Sequence, residues 1–263
     1  MKIVLEKLSS TLLEEVNYTL SNGSETILLN DLIGKTISLN FTGTIFCSKC
    51  QVITKQSFGQ GFCFSCFNTA PEASPCIIHP ELCQAHLGIG RDLDYEERHH
   101  NQTHYVYLAA TDRVKVGITR STQIPTRWID QGANAALIIA ETPNRYTAGV
   151  IEVALKDFFV DKTNWQSMLK NIGDESIDLV EEKWMAHEQL PSDLAQYFTE
   201  DEEVLSLKYP VQNYPEQVQS MSFDKTAEIS GELTGIRGQY LYLNGNQVLN
   251  IRRHTGYQIE FNY

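Results

Sequence analysis

The 263-residue sequence has no apolar run near the roughly 20 residues that a membrane span requires. Glu6, Glu14 and Glu15 interrupt its N-terminal apolar stretches, so neither a secretory signal nor a transit peptide is legible there. A cytoplasmic protein without a membrane partner is therefore expected. No long-period repeat is present, which argues against a solenoid. None of the seven histidines stands in a recognisable arrangement with a serine or cysteine nucleophile. Positive charge is also scarce: 21 basic residues face 33 acidic ones, for a net charge of −12. Taken alone, that balance opposes binding to a polyanion.

The distribution of charge changes this inference. Between Asp174 and Glu203 eleven acids accompany the single base Lys183, so this stretch carries −10 and the rest of the chain −2. Its apolar residues Ile177, Val180, Trp184 and Leu190 predict an amphipathic helix, most simply one with a solvated acidic face. Conversely, Arg113, Lys115, Arg120 and Arg127 fall within fifteen residues that contain no acid, a +4 cluster able to meet phosphate.

A chain of this length can bury a sizeable core without disulfide staples, and a reducing compartment disfavours them. The six cysteines are nevertheless clustered. Cys47-Ser-Lys-Cys50 and Cys63-Phe-Ser-Cys66 are Cys-x2-Cys knuckles twelve residues apart, a spacing that lets two hairpin corners converge on one tetrahedral Zn²⁺. Four thiolates leave no open coordination position, so the expected role is structural. An iron–sulfur cluster is the competing metal, and a redox dithiol or simply buried cysteines the competing metal-free reading. Downstream, Cys76, His79, Cys83 and His86 form two Cys-x2-His pairs, with His99 and His100 nearby. Cys76, Cys83 and His86 are candidate ligands of a second metal. The alternative is packed cysteines and solvated histidines.

Residues 1–36 are short apolar runs around the turn Ser21-Asn22-Gly23-Ser24. Alternation over Thr36 to Phe46 predicts a strand running directly into Cys47. Residues 71–100 contain three prolines and a charged run, the signature of a loop with a short helix. Beyond them the pattern predicts a β-β-α-β-α unit: strands over 105–109 and 114–118, a helix from about Pro125 to Gln131, a strand over 135–140, and a helix from Thr147 to Phe159. In this last helix Val150, Ile151, Ala154, Leu155 and Phe158 mark the core face. From Ala227 the chain returns to strands, with turns at Gly235–Gly238 and Asn244-Gly245-Asn246.

His104-Tyr105-Val106-Tyr107-Leu108 followed by Lys115-Val116-Gly117-Ile118-Thr119 resembles the GIY-YIG nuclease superfamily, whose first strand ends in tyrosine and whose second ends in a glycine-containing triplet. Arg127, Glu152 and Asn164 stand where that superfamily has its arginine, glutamate and asparagine. The whole arrangement is also similar to an uncharacterised bacterial family in which a cysteine-rich region precedes such a module. The superfamily resemblance, over about residues 104–165, implies phosphodiester cleavage with Mg²⁺. Glu152 would hold the metal, Arg127 would stabilise the phosphate, and Tyr107, beside Tyr105, would position or deprotonate the water. Lys115 replaces the usual second tyrosine; its ammonium can bind phosphate but is not a base unless its pKa is strongly depressed.

The expectation is an α+β protein in three segments: N-terminal strands and zinc region (1–103), a GIY-YIG-like module (104–173), and an acidic helical stretch with C-terminal strands (174–263) that can pack back on the N-terminal ones. The expected function is nucleic-acid cleavage, on DNA or RNA. The alternative is a non-catalytic module that binds nucleic acid or a protein partner.

Overall fold

The computed structural model describes residues 1–159, 164–173 and 177–263. The Asp161-Lys162-Thr163 segment before Asn164 and the first residues of the acidic stretch, from Asp174, lie outside these. Along the chain come β1 (Lys2–Val4), β2 (Ser9–Leu12), β3 (Val16–Ser21), β4 (Thr26–Leu28), β5 (Thr36–Phe46), β6 (Ile53–Thr54) and helix α1 (Phe64–Thr69). They are followed by α2 (Leu93–His99), β7 (His104–Ala110), β8 (Val114–Arg120), α3 (Thr126–Asp130), β9 (Ala135–Thr142), α4 (Arg145–Leu155), α5 (Trp165–Leu169) and α6 (Leu179–Gln189). Last come β10 (Leu205–Ser206), β11 (Gln219–Met221), β12 (Glu228–Arg237), β13 (Tyr240–Leu243), β14 (Gln247–Asn250) and β15 (Tyr257–Asn262). The class is α+β, mostly sheet.

These elements form two compact units, residues 1–68 with 208–263, and residues 69–207. The segment limits expected from the sequence, at 103/104 and 173/174, both lie inside the second of these units. Strand pairing holds each unit together. In the first unit β5 is the spine of an eight-stranded sheet ordered β1-β15-β5-β12-β13-β14-β11, with β6 paired to β5. The C-terminal strands thus return to the N-terminal ones: Glu260 of β15 lies opposite both Lys2 and Asn40. Alternation along β5 buries Ile37 and Leu39 while Asn40 stays half-exposed, as a strand with one covered face requires.

The second unit is built on an antiparallel sheet ordered β10-β9-β7-β8. The expected β-β-α-β-α order over residues 104–155 is present. One sheet face carries Val106, Leu108, Val116 and Ile118 against Ala148, Ile151 and Leu155 of α4. Ile151 and Leu155 are fully buried, each stabilising the unit by on the order of 2 kcal/mol. The Asn144 side chain caps α4 by accepting the Thr147 amide at 2.9 Å. The helix ends at Leu155, short of Phe159, and the turn that follows breaks its periodicity: Phe158 is exposed and Phe159 buried.

The acidic stretch does form a helix, α6, but its inward face differs from the one the apolar pattern marks. Leu179, Lys183 and Ala186 face inward while Trp184 is 40% exposed. Lys183 is buried because its ammonium donates to the Ile138 carbonyl at 3.0 Å, to Thr199 Oγ1 at 3.3 Å and to the Asp201 carbonyl. Among the described residues no helix is long and apolar enough to cross a membrane.

Candidate metal centre and candidate active site

Strand β5 delivers Cys47 to the first knuckle, whose turn closes through the Cys47 amide on the Val52 carbonyl at 2.9 Å. Gln51 takes a positive φ of 60° inside it. The second knuckle begins at Cys63 and runs into α1, where the Cys66 amide points at Cys63 Sγ at 3.5 Å. Gly61, at φ 99°, is pressed against Thr255, so no side chain fits there. All four sulfurs, of Cys47, Cys50, Cys63 and Cys66, lie within 4.8 Å of one another. A tetrahedron with Zn–S bonds of about 2.3 Å has S···S edges of about 3.8 Å. Cys50 Sγ to Cys63 Sγ is 3.8 Å. Burial opposes ionisation of Cys47, but amide hydrogen bonds from Cys50, Cys63 and Lys49 outweigh it and draw the thiol down to about 6. Cys66 is pushed up to about 12, first by its hydrogen bond to Cys50 and then by desolvation. The Cys47 thiolate thus forms readily, and a cation would offset what holds Cys66 protonated. The cluster could hold a zinc ion.

A second convergence lies in the other unit, with a membership the cysteine spacing did not give. The ligand atoms of Cys76, Cys83, Glu96 and His100 lie within 4.8 Å of one another, and all four residues are buried. His86 is elsewhere, stacked on the Tyr146 ring at 4.6 Å. His79 is at the surface beside Glu81, and His99 is against the Arg120 guanidinium. Glu96 and His100 are i and i+4 on α2 and its cap, so they share a helix face. That spacing was the readable signal; a search built on cysteine and histidine alone passes over the glutamate.

On the face of the second sheet away from α4, covered in part by α3, Tyr107 lies opposite Gly117 in register. Strand alternation puts Tyr105, Lys115 and Thr119 on that same face. Tyr107 is fully buried, edge-on to Trp128, and donates to Gln131 Oε1 at 3.3 Å. Burial raises the phenol's pKa, though Arg127 pulls it down. Arg127 in turn lies close enough to Tyr107, Asp130 and Glu152 for their ionised forms to favour its protonated state. Glu152 has its pKa raised by burial and by Glu81, against Lys156, Arg145 and Arg127. Tyr107, Arg127 and Glu152 are therefore electrostatic neighbours, and Glu81 is a second carboxylate near Glu152 that the sequence did not single out. Two N–H donors here, Trp128 Nε1 and Gln131 Nε2, are buried without a hydrogen-bond partner among the described residues.

The remaining candidates are dispersed. Lys115 is buried at 8% exposure, and Arg120, five residues on, points to the opposite sheet face about 17 Å away. Arg113 is exposed in the β7–β8 turn. Asn164 is exposed and caps α5, accepting the Gln166 and Ser167 amides. Tertiary structure also brings Ser222 Oγ within 3.2 Å of His254 Nε2, but that nitrogen accepts the Phe223 amide as well, and Nδ1 faces the Asn250 carbonyl. The imidazole is fully engaged in holding chain segments together.

Fold and site together define an α+β protein with two clusters of metal-ligand residues and a tyrosine–arginine–glutamate group on a small antiparallel sheet. The chain belongs to the family described as protein of unknown function (DUF2797), which matches residues 34–259. No curated protein and no solved structure matches it significantly.

Proposed function

We propose that the unit of residues 69–207 is a GIY-YIG-like module acting on nucleic-acid phosphodiesters, and that the four-cysteine cluster of the other unit holds a structural zinc ion. The observation that carries the first part is the pair of buried, unpartnered donors, Trp128 Nε1 and Gln131 Nε2, beside Tyr107 and close to Arg127. Buried donors cost about 1–3 kcal/mol each when unpaired, so an acceptor oxygen that reached them on local opening of the site would be favoured. A phosphate diester offers such oxygens, and a guanidinium is its natural counter-charge.

Phosphodiester cleavage needs an activated water and stabilisation of charge on the phosphoryl and leaving oxygens. Mg²⁺ is held by one or two carboxylates plus substrate phosphate, and would supply that stabilisation. Glu152, with Glu81 beside it, would hold it. Arg127 neutralises the diester. Tyr107, neutral and hydrogen-bonded to Gln131, orients the acceptor and does not remove a proton.

Two features favour a non-catalytic variant of this reading: Tyr107 is buried with a raised pKa, and Lys115 stands where the resemblance calls for the second tyrosine. The site would then grip a nucleic acid without cutting it. The test is Mg²⁺-dependent nicking of supercoiled plasmid and of structured RNA, with binding measured in parallel at low salt. Cleavage supports the enzyme; binding without cleavage supports the variant; neither binding nor cleavage overturns both.

A further inference from the structure

We propose that Cys76, Cys83, Glu96 and His100 form a second zinc centre, a mixed thiolate–imidazole–carboxylate site that fastens the 71–100 segment onto the start of α4. Nothing in the phosphodiester reading requires it.

Ligand geometry separates this from a catalytic constellation. In a Cys–His–Glu triad the nucleophile and the carboxylate engage different imidazole nitrogens. Here both meet the same one: Cys76 Sγ is 3.9 Å from His100 Nδ1, and Glu96 Oε2 also contacts Nδ1. Four donors aimed at one point, each from a buried residue, are what a tetrahedral ion gathers. Two thiolates, one imidazole and one carboxylate suit zinc. Burial of all four leaves no open position, so the site is structural.

A second, independent observation is the poverty of the segment it would hold. Residues 71–87 contain four short 3-10 turns, at 71–73, 75–77, 80–82 and 85–87, and no α-helix or strand. Their buried apolar cluster consists of Cys76, Cys83 and Ala85. Ile78, Leu82, Leu87 and Ile89 are all more than half exposed. Beside it only Pro71 and Pro80 add buried apolar surface to these turns, so apolar burial gives the stretch little order and a structural zinc ion would supply more. Gly90 completes the enclosure, since a Cβ there would sit 2.3 Å from Glu96 Cγ.

The centre would have a defined mechanical output. Arg145, first residue of α4, donates through Nε to the Cys76 carbonyl and through Nη2 to the Ile77 carbonyl, both at 2.9 Å. Its own amide donates to the His100 carbonyl at 2.8 Å. Both chain segments that supply ligands are therefore tied to the helix that carries Glu152.

The test is metal analysis and zinc-edge X-ray absorption on the purified full-length chain. Two zinc ions per chain are expected, with an average of three sulfur neighbours each, the mean of a four-sulfur and a two-sulfur site. Cys63→Ser and His100→Ala should each remove one ion. His100→Cys should keep both, and His86→Ala should change nothing. Hydrogen exchange should rise in peptides covering 71–100 and 144–150 in His100→Ala. One zinc per chain with four sulfurs overturns the proposal, as does a Cys76–Cys83 disulfide in protein purified without reductant. The wild-type absorption measurement needs no variant to fold. Loss of nuclease activity alone bears on the phosphodiester reading, not on this one.

Discussion

Tyr107 lies directly over Gly117: a Cβ at position 117 would stand 2.7 Å from the phenol oxygen and 2.8 Å from Cζ. The glycine is required by that ring and not by its own backbone, which is ordinary strand. Gly117→Ala should therefore destabilise the 69–207 unit by about 1–3 kcal/mol, as overpacking does. Tyr107→Ala removes the obstacle, so chemical denaturation of both single variants and the double should reveal strong non-additivity. Additive losses would mean that the two side chains do not meet.

Cys63→Ser should lose the ion of the four-cysteine site and melt the knuckles around it, because structural zinc binding is itself folding free energy, on the order of 10 kcal/mol in small fingers. Metal content together with proteolysis between residues 47 and 68 would read this out. Retention of both metal and protease resistance would remove Cys63 from the ligand set.

Glu152→Ala and Arg127→Ala should differ. The first should abolish Mg²⁺-dependent cleavage and leave nucleic-acid binding unchanged or tighter, since a carboxylate repels phosphate. The second should weaken both, because a guanidinium engages phosphate before and during reaction. Binding should also fall with salt at a shallow slope, as few phosphates can be neutralised. Identical behaviour of the two variants would dissolve the division of roles.

His104 is fully buried, and its pKa is lowered from 6.5 to about 4, by desolvation first and with help from Arg145, His100 and Arg120, against a hydrogen bond to the Gln102 carbonyl. As pH falls below 6.5 the unfolded chain takes up a proton that the folded chain refuses until about pH 4. Its contribution is thus intact above 6.5 and lost on acidification, by roughly 3 kcal/mol over that window. Urea midpoints from pH 7.5 to 4.5 should show a steeper acid loss in wild type than in His104→Gln. Metal release at low pH affects both proteins, so the difference between them isolates the histidine. Parallel curves would contradict the assignment.

Local signals carried far in this chain. Strict alternation fixed β5 because one covered face imposes a period of two. Doubled Cys-x2-Cys knuckles named the four sulfurs that converge, since each knuckle brings its pair together whatever surrounds it. The β-β-α-β-α order over 104–155 followed from short apolar runs and turn residues.

Contacts distant in sequence were a different matter. The return of β15 onto β5 depends on pairing across more than 200 residues, as Phe261 opposite Leu39 shows, and no local period records it. The inward turn of Lys183 depends on carbonyls at 138 and 201. Glu96 stands in a charged run where no sequence pattern marks it as a ligand, yet the fold sets it against Cys76 and Cys83, whereas His86, a candidate by spacing, stacks on Tyr146. Spacing along the chain determined the four-cysteine cluster because its members arrive in tight knuckles. For the second cluster spacing offered Cys76 and Cys83, and the fold decided that Glu96 and His100 join them instead of His86, because these residues come from separate turns and a helix whose distance is set by everything packed between them.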